Sequence, residues 1–174
     1  MALPCEEIPD GCYSNMGVWM DGGLAPWVPC NDDLVDEALS ALQLWSGDYL
    51  VDLGCGEGKI CRAAAERFGC RTMGVELDKA IVERALEKRN QMPERKHLVD
   101  IRYGDVNTME WNEMPTCVTM FLLPEFYPKI EALLERFISA GAQLLVLKWE
   151  LPGGRWRERV TEKNDGRFWI YRRC

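Results

Sequence analysis

Two rhythms of apolar residues alternate along the chain. Short, almost continuous apolar runs read as buried strands, and segments whose apolar residues recur every three or four positions read as helices with one inward face. A first helix is predicted from about Asn31, which N-caps it with Asp32 and Asp33 in the first turn; Val35, Ala38, Leu39 and Leu42 form its stripe and Gly47-Asp48 ends it. Leu50, Val51 and Leu53 then read as a strand, and Ile60, Ala63, Ala64 and Phe68 as the inner face of a helix capped by Gly69. A strand over 71–75 precedes a helix capped by Asp78, with Ile81, Val82, Ala85 and Leu86 inward and Pro93 beyond its end. Residues 99–103 and 116–122 read as the third and fourth strands. A helix carrying Ile130, Leu133, Leu134, Phe137 and Ile138 closes at Gly141, and a fifth strand covers 143–149. Strand-like 156–162, the turn Asn164-Asp165-Gly166 and the run 167–171 predict a terminal hairpin. The fold class is therefore α/β, a doubly wound seven-stranded sheet, mostly parallel with a C-terminal antiparallel hairpin.

The first strand runs straight into Asp52-Leu53-Gly54-Cys55-Gly56-Glu57-Gly58 and then into a helix. Strand, glycine turn and helix is the Rossmann-like context in which a nucleotide-like ligand approaches the backbone. Asp52 separates this run from a dinucleotide fingerprint, because a carboxylate at the strand end repels a pyrophosphate and welcomes a cation. S-adenosylmethionine carries an ammonium and a sulfonium and no phosphate. The run resembles the first motif of the class I S-adenosylmethionine-dependent methyltransferases.

Two more acids follow in the order that this resemblance implies. Glu76 lies 18 residues beyond Gly58 at the end of the second strand, where a carboxylate accepts from both hydroxyls of a ribose. Gly104-Asp105-Val106 follows the third strand, and there an acid accepts from the adenine amino group while its apolar neighbour lies against the ring. Cofactor contacts are expected at Trp27, Pro29, Asp52, Gly54, Cys55, Gly56, Gly58, Glu76, Leu77, Asp105, Val106 and Phe121.

At 174 residues, 47% hydrophobic and 28% charged, the chain suits one folded domain. Residues 31–174 are expected to form it, with residues 1–30 as an N-terminal arm crossing the site. No apolar run approaches the roughly 20 residues that span a bilayer. The first residues are acidic, unlike a signal or transit peptide. The net charge of −7 is uneven: residues 1–60 hold eleven acids and one base, a net −10. That balance argues against nucleic acid as a partner and for a cationic one. Eight cysteines without a C-x-x-C pair, and one histidine far from any of them, give no metal site and suit reduced thiols in an intracellular, cytoplasmic protein.

A narrower likeness spans about residues 26–174. Trp27-Val28-Pro29 with Asp33 and Val35, V-D-L-G-C-G-E-G-K-I, G-V-E-L-D, G-D-V and V-T-M-F-L-L-P-E resemble, as an ordered set, the small methyltransferases that include the mitochondrial protein-lysine methyltransferases and their bacterial relatives. Trp27 stands where those proteins usually have tyrosine, and no basic presequence is present. The resemblance implies methyl transfer to a lysine side chain of a protein. Glu125, Tyr127, Trp27 and Trp149 are the candidates for the acceptor side; no residue is nominated as catalytic base. Two alternatives stand beside it: a methyltransferase of small molecules or nucleic acid, and a non-catalytic S-adenosylmethionine-binding partner protein. Leu122-Leu123-Pro124-Glu125 lacks the amide of the Asx-Pro-Pro-aromatic motif of base methylation, and the intact glycines and Glu76 argue against a degenerate copy.

Overall fold

The computed structural model describes residues 30–164 and 166–173. The expected arm, with Trp27 and Pro29, lies outside the described residues except for Cys30. Helix α1 (Asp32–Ala41) begins where expected, with the Asn31 side chain accepting from the Asp33 amide at 2.9 Å. It ends well short of Gly47, because Gln43 takes φ 53, in the left-handed region, so that Leu42 and Leu44 both turn inward.

Strand β1 (Tyr49–Leu53), α2 (Lys59–Phe68), β2 (Arg71–Glu76), α3 (Lys79–Asn90) and β3 (Val99–Tyr103) follow in the predicted order. Asp78 caps α3 by accepting from the amides of Ala80 and Ile81. Strand β4 (Cys117–Met120) is shorter than 116–122: Thr116 accepts from the Tyr49 amide and donates to Asp48, while Phe121 and Leu122 pass beyond the last paired residue of β1. Helix α4 (Tyr127–Ser139), β5 (Gln143–Leu147), α5 (Gly154–Arg157), β6 (Val160–Asn164) and β7 (Phe168–Tyr171) complete the chain. The strand expected from Trp156 is thus replaced at its start by a helical turn. It drives the Trp156 ring into the core, edge-on to Tyr171, with Nε1 donating to Glu131 on α4.

The sheet order is β3-β2-β1-β4-β5-β7-β6, with only β7 and β6 antiparallel to their neighbours. One face is covered by α1, α2 and α3, whose apolar stripes meet Leu50, Cys117, Leu145, Val99 and Ile101. On the other face α4 packs against Val51, Leu53, Val118 and Val146. The crossover from β3 to β4 has no helix; Trp111 fills that place, edge-on to Phe137 with ring centroids 4.9 Å apart. Ligands of such sheets bind outside the carboxyl ends of the strands where the order reverses, which here is between β1 and β4.

Candidate active site

The carboxyl ends of β1, β2 and β3 are stitched to one another. The amides of Gly54 and Cys55 both donate to the Val75 carbonyl, at 2.9 and 3.0 Å, and the Gly104 amide donates to that of Glu76 at 2.9 Å. Gly54, Gly56 and Gly58 take φ 74, 53 and 73, values that cost a residue with a Cβ and let the chain reverse into α2. A Cβ on Gly54 would stand 2.6 Å from Leu122 Cδ2, so the segment leaving β4 crosses directly over the first glycine. Glu57 is clamped to α3 by Arg84 and Lys88, which hold its carboxyl below the usual range against a burial that pushes it up.

Glu76 reaches into this turn. Its Oε2 accepts from the Gly56 amide at 2.9 Å, and its Oε1 accepts from the amides of Leu77 and Asp78 at 2.8 and 3.0 Å. A carboxylate has about four lone-pair sites. Holding both hydroxyls of a diol therefore requires that at least one of these bonds exchange. Asp105 stands just beyond, on the neighbouring β3 side, with Oδ1 accepting from the Asn107 amide at 2.9 Å; the Val106 carbonyl accepts from Trp111 Nε1. Leu77 is 42% exposed, and Phe121 is half-buried where β4 ends.

Asp52 is the unusual group. It is 2% exposed and takes one hydrogen bond, from the Thr119 hydroxyl at 2.7 Å. Burial pushes its carboxyl up to about 7, opposed by the Thr119 bond and reinforced by the charge of Glu76. No cation forms an ion pair with it among the described residues. The amides of Gly54, Cys55, Gly56 and Gly58 all have acceptors within the protein. A turn with its amides already engaged is a poor cradle for phosphate, and a buried carboxylate without a counter-charge suits a cation. The residues present therefore fit S-adenosylmethionine.

Asp52, the three glycines, Glu76, Leu77, Asp105, Val106 and Phe121 all lie at or just past the carboxyl ends of β1 to β4. The Cys55 side chain turns away: a Cβ on Gly74 would lie 2.6 Å from Cys55 Sγ, so the thiol packs on β2, and burial raises it well above its ordinary range. Only the backbone of Cys55 faces the turn. Tyr127, expected on the acceptor side, is 2% exposed and packs in the core on α4, because its ring continues the stripe of Ile130 and Leu134. Its hydroxyl donates to the Trp149 carbonyl at 2.8 Å. Glu125 is exposed in a short 3-10 turn (Pro124–Phe126), and Trp149 is half-buried just past β5. Thr119 and Leu122 escaped the sequence reading. A threonine in the apolar run 116–122 was the available signal for the first; the second shows only in the register of two strands. Lys59 also went unremarked: it bridges Asp32 at 2.8 Å and donates to the Cys30 carbonyl, tying the start of α1 to the glycine turn.

The seven-stranded sheet with its terminal antiparallel hairpin is that of the class I S-adenosylmethionine-dependent methyltransferases, and the protein is such an enzyme. More narrowly, a family model described as the ANTKMT methyltransferase domain matches residues 52–158, and the chain belongs to that family. It is similar to a protein-lysine N-methyltransferase of Saccharolobus islandicus, 29% identical over 144 residues that span 81% of this chain and 86% of that one. Among solved structures it is similar to an RNA methyltransferase from Salinibacter ruber in complex with S-adenosylhomocysteine, with a TM-score of 0.72, 29% identity, and coverage of 83% of this chain and 92% of that one. A S-adenosylmethionine-dependent methyltransferase from Thiobacillus denitrificans, also bound to S-adenosylhomocysteine, shares the fold at a TM-score of 0.58 and 20% identity, over 71% of this chain and 52% of that one. S-adenosylmethionine is the cofactor. No helix among the described residues is long and apolar enough to cross a membrane, and no cluster among them could hold a metal ion.

Proposed function

We propose that the enzyme methylates lysine side chains of a protein, with β1 to β3 holding the cofactor and the segments after β4 and β5 forming the acceptor side. Glu76 takes the ribose hydroxyls, Asp105 the adenine amino group, and Leu77 and Val106 flank the ring. Asp52 supplies the charge opposite the ammonium, Gly54, Gly56 and Gly58 leave room for the chain of the ligand, and Phe121 borders it where β4 ends. Trp27 and Pro29 are assigned to the same site from the side of the arm, residues 1–30.

Bound S-adenosylmethionine would supply a methyl on sulfonium sulfur: a lysine ammonium would first release its proton to solvent at the mouth, and its freed lone pair would then form the C–N bond as the C–S pair returns to sulfur, leaving the positive charge on nitrogen. The chain's own part is placement, and alignment of this kind can lower a barrier by about 7–11 kcal/mol at best. Exposed Glu125 and Glu150, which have no ion-pair partner among the described residues, follow β4 and β5 and draw a protonated lysine towards the mouth. The observation that carries the reading is this pair of free carboxylates at the strand ends, supported by the protein-lysine N-methyltransferase relative. The Salinibacter ruber neighbour favours RNA as the second reading, against which the same carboxylates count, because they repel a phosphate backbone.

Transfer of labelled methyl groups into a cell lysate, followed by mass-spectrometric location of the mark, decides between them. Label on lysine residues of protein is expected. Label confined to RNA would leave the methyltransferase standing and remove the lysine assignment.

A further inference from the structure

The chain leaves β5 through an uncommon turn. The Trp149 amide donates to the Leu147 carbonyl at 2.9 Å, a bond between residues two apart, and Lys148 between them takes φ 71. A γ-turn whose central residue has positive φ is rare and strained, and a lysine gains nothing from that conformation that glycine would not have more cheaply. It is why the fifth strand stops at Leu147 rather than running on to Trp149. Strain of this kind persists only where the surroundings over-determine it, and such positions concentrate at functional sites.

The surroundings here do over-determine it. The Lys148 amide donates to the Arg167 carbonyl at 2.8 Å, which fixes the turn from the β7 side. Tyr127 reaches up from the core and donates to the Trp149 carbonyl at 2.8 Å. Two residues later the Leu151 amide donates to the Tyr171 hydroxyl at 2.9 Å. Both tyrosines are 2% exposed or less, and burial raises both phenols, so Tyr127 keeps its proton as a donor and cannot act as a base near neutral pH. Three bonds thus aim one segment, and its product is the position of an indole. The Trp149 ring stacks on Phe121 with centroids 5.5 Å apart and planes at 18°. Phe121 follows β4 and Trp149 follows β5, at the carboxyl ends of neighbouring strands. Next to Phe121, Leu122 lies against Gly54 and so joins this shelf to the glycine turn.

We infer that Trp149, backed by Phe121, is the aromatic platform for the acceptor nitrogen, and that Tyr127 is its positioning residue, acting through the Trp149 carbonyl and the turn at Lys148. The inference rests on the lysine reading above and deepens it. As the nitrogen gains the methyl group it gains positive charge, and an indole face attracts a cation within about 6 Å by its quadrupole. A pre-aimed ring offers that attraction without reorganisation at the moment of transfer. The same platform favours the methylated ammonium product, whose charge is weakly hydrated. A uracil or adenine would stack on the ring without regard to charge.

The test uses the enzyme saturated with S-adenosylhomocysteine and two peptides, one bearing trimethyllysine and one bearing its uncharged tert-butyl isostere. The wild type is expected to bind the charged peptide about five-fold more tightly than the isostere. Trp149→Leu should erase that preference, Trp149→Phe should keep most of it, and Tyr127→Phe should reduce it while S-adenosylhomocysteine affinity stays near wild type. Equal preference in the wild type and Trp149→Leu would overturn the platform, and a wild-type preference in Tyr127→Phe would overturn the positioning role. Methyl transfer to the unmodified peptide and to RNA is measured alongside. Label on RNA alone removes the lysine reading and the platform's ligand with it, whereas label on the peptide without any charge preference removes the platform alone.

Discussion

The sheet changes character at the boundary between β1 and β4. On the β3-β2-β1 side the site is made of backbone: strand ends joined amide to carbonyl, three glycines at positive φ, and carboxylates hung on that frame. On the β4-β5 side, proposed for the acceptor, side chains hold the backbone: the Tyr127 and Tyr171 hydroxyls fix a strained turn, and Phe121 and Trp149 stack beside it. A ligand common to a whole family can be met by geometry that every member must keep. An acceptor that varies between members is met by side chains, which can change without disturbing the frame. The two meet by side-chain packing where Leu122 lies on Gly54, and by a hydrogen bond where the Thr119 hydroxyl donates to Asp52.

The largest expected effect comes from closing the cofactor side. Gly56→Val forces a β-branched residue to φ 53 in a buried turn. Calorimetry should find no binding of S-adenosylhomocysteine while circular dichroism still shows a folded chain. Retained affinity would mean that this half is packing alone.

Asp52 separates stability from binding. Its carboxyl, pushed by burial from the ordinary carboxylate range up to about 7, makes the ligand-free fold bind a proton that the unfolded chain releases. That contribution is fully present below pH 4 and is lost as pH rises through about 7, a swing on the order of 4 kcal/mol. Thermal unfolding of the ligand-free protein should therefore show Tm falling from pH 5 to pH 8. In Asp52→Asn the fall should flatten and Tm at pH 8 should rise, while cofactor affinity drops. A variant that is no more stable at pH 8 would show that the buried carboxylate has a counter-charge.

The packing of Leu122 on Gly54 can be broken by itself. Gly54→Ala places a Cβ against Leu122 at positive φ and should cost about 1–3 kcal/mol in urea unfolding. Adding Leu122→Ala should recover the steric share of that loss and leave the conformational share. Strict additivity of the two substitutions would mean that the contact carries no coupling.

The two halves were also unequally legible in the sequence. Asp52, the glycines, Glu76 and Gly104-Asp105 could be read because local backbone chemistry and chain order suffice to place them. Tyr127 was legible only in part: it stands three residues before Ile130 on the α4 stripe, but the 3-10 turn over Pro124–Phe126 masks where that helix begins, and its ring meets the core where the acceptor side was expected. The strand predicted through Trp149 failed for a related reason: nothing in Leu147-Lys148-Trp149 announces a γ-turn, since lysine is not a residue of positive φ. The helical turn at Trp156 likewise depends on a space between α4 and β7 that exists only once both are in place. Gly74 was legible as a residue and opaque as a reason, because its partner Cys55 lies across a strand pair.

On the proposed acceptor side, salt separates steering from contact. Glu125→Gln should lower kcat/KM on a lysine peptide about two- to five-fold at low ionic strength, and the gap to wild type should close as salt is raised. An unchanged gap in high salt would assign Glu125 a contact role in place of steering.

The division into halves is tested most directly by titrating S-adenosylhomocysteine into wild type, Glu76→Ala and Glu125→Gln in one calorimetric series. Removing the carboxylate at the end of β2 takes away a charge-assisted bond of about 1.5–3 kcal/mol, so Glu76→Ala should bind roughly ten-fold or more weakly. Glu125→Gln should bind as wild type does. If Glu125→Gln loses as much cofactor affinity as Glu76→Ala, or if Glu76→Ala loses none, the cofactor and the acceptor do not divide between the two sides of β1 and β4.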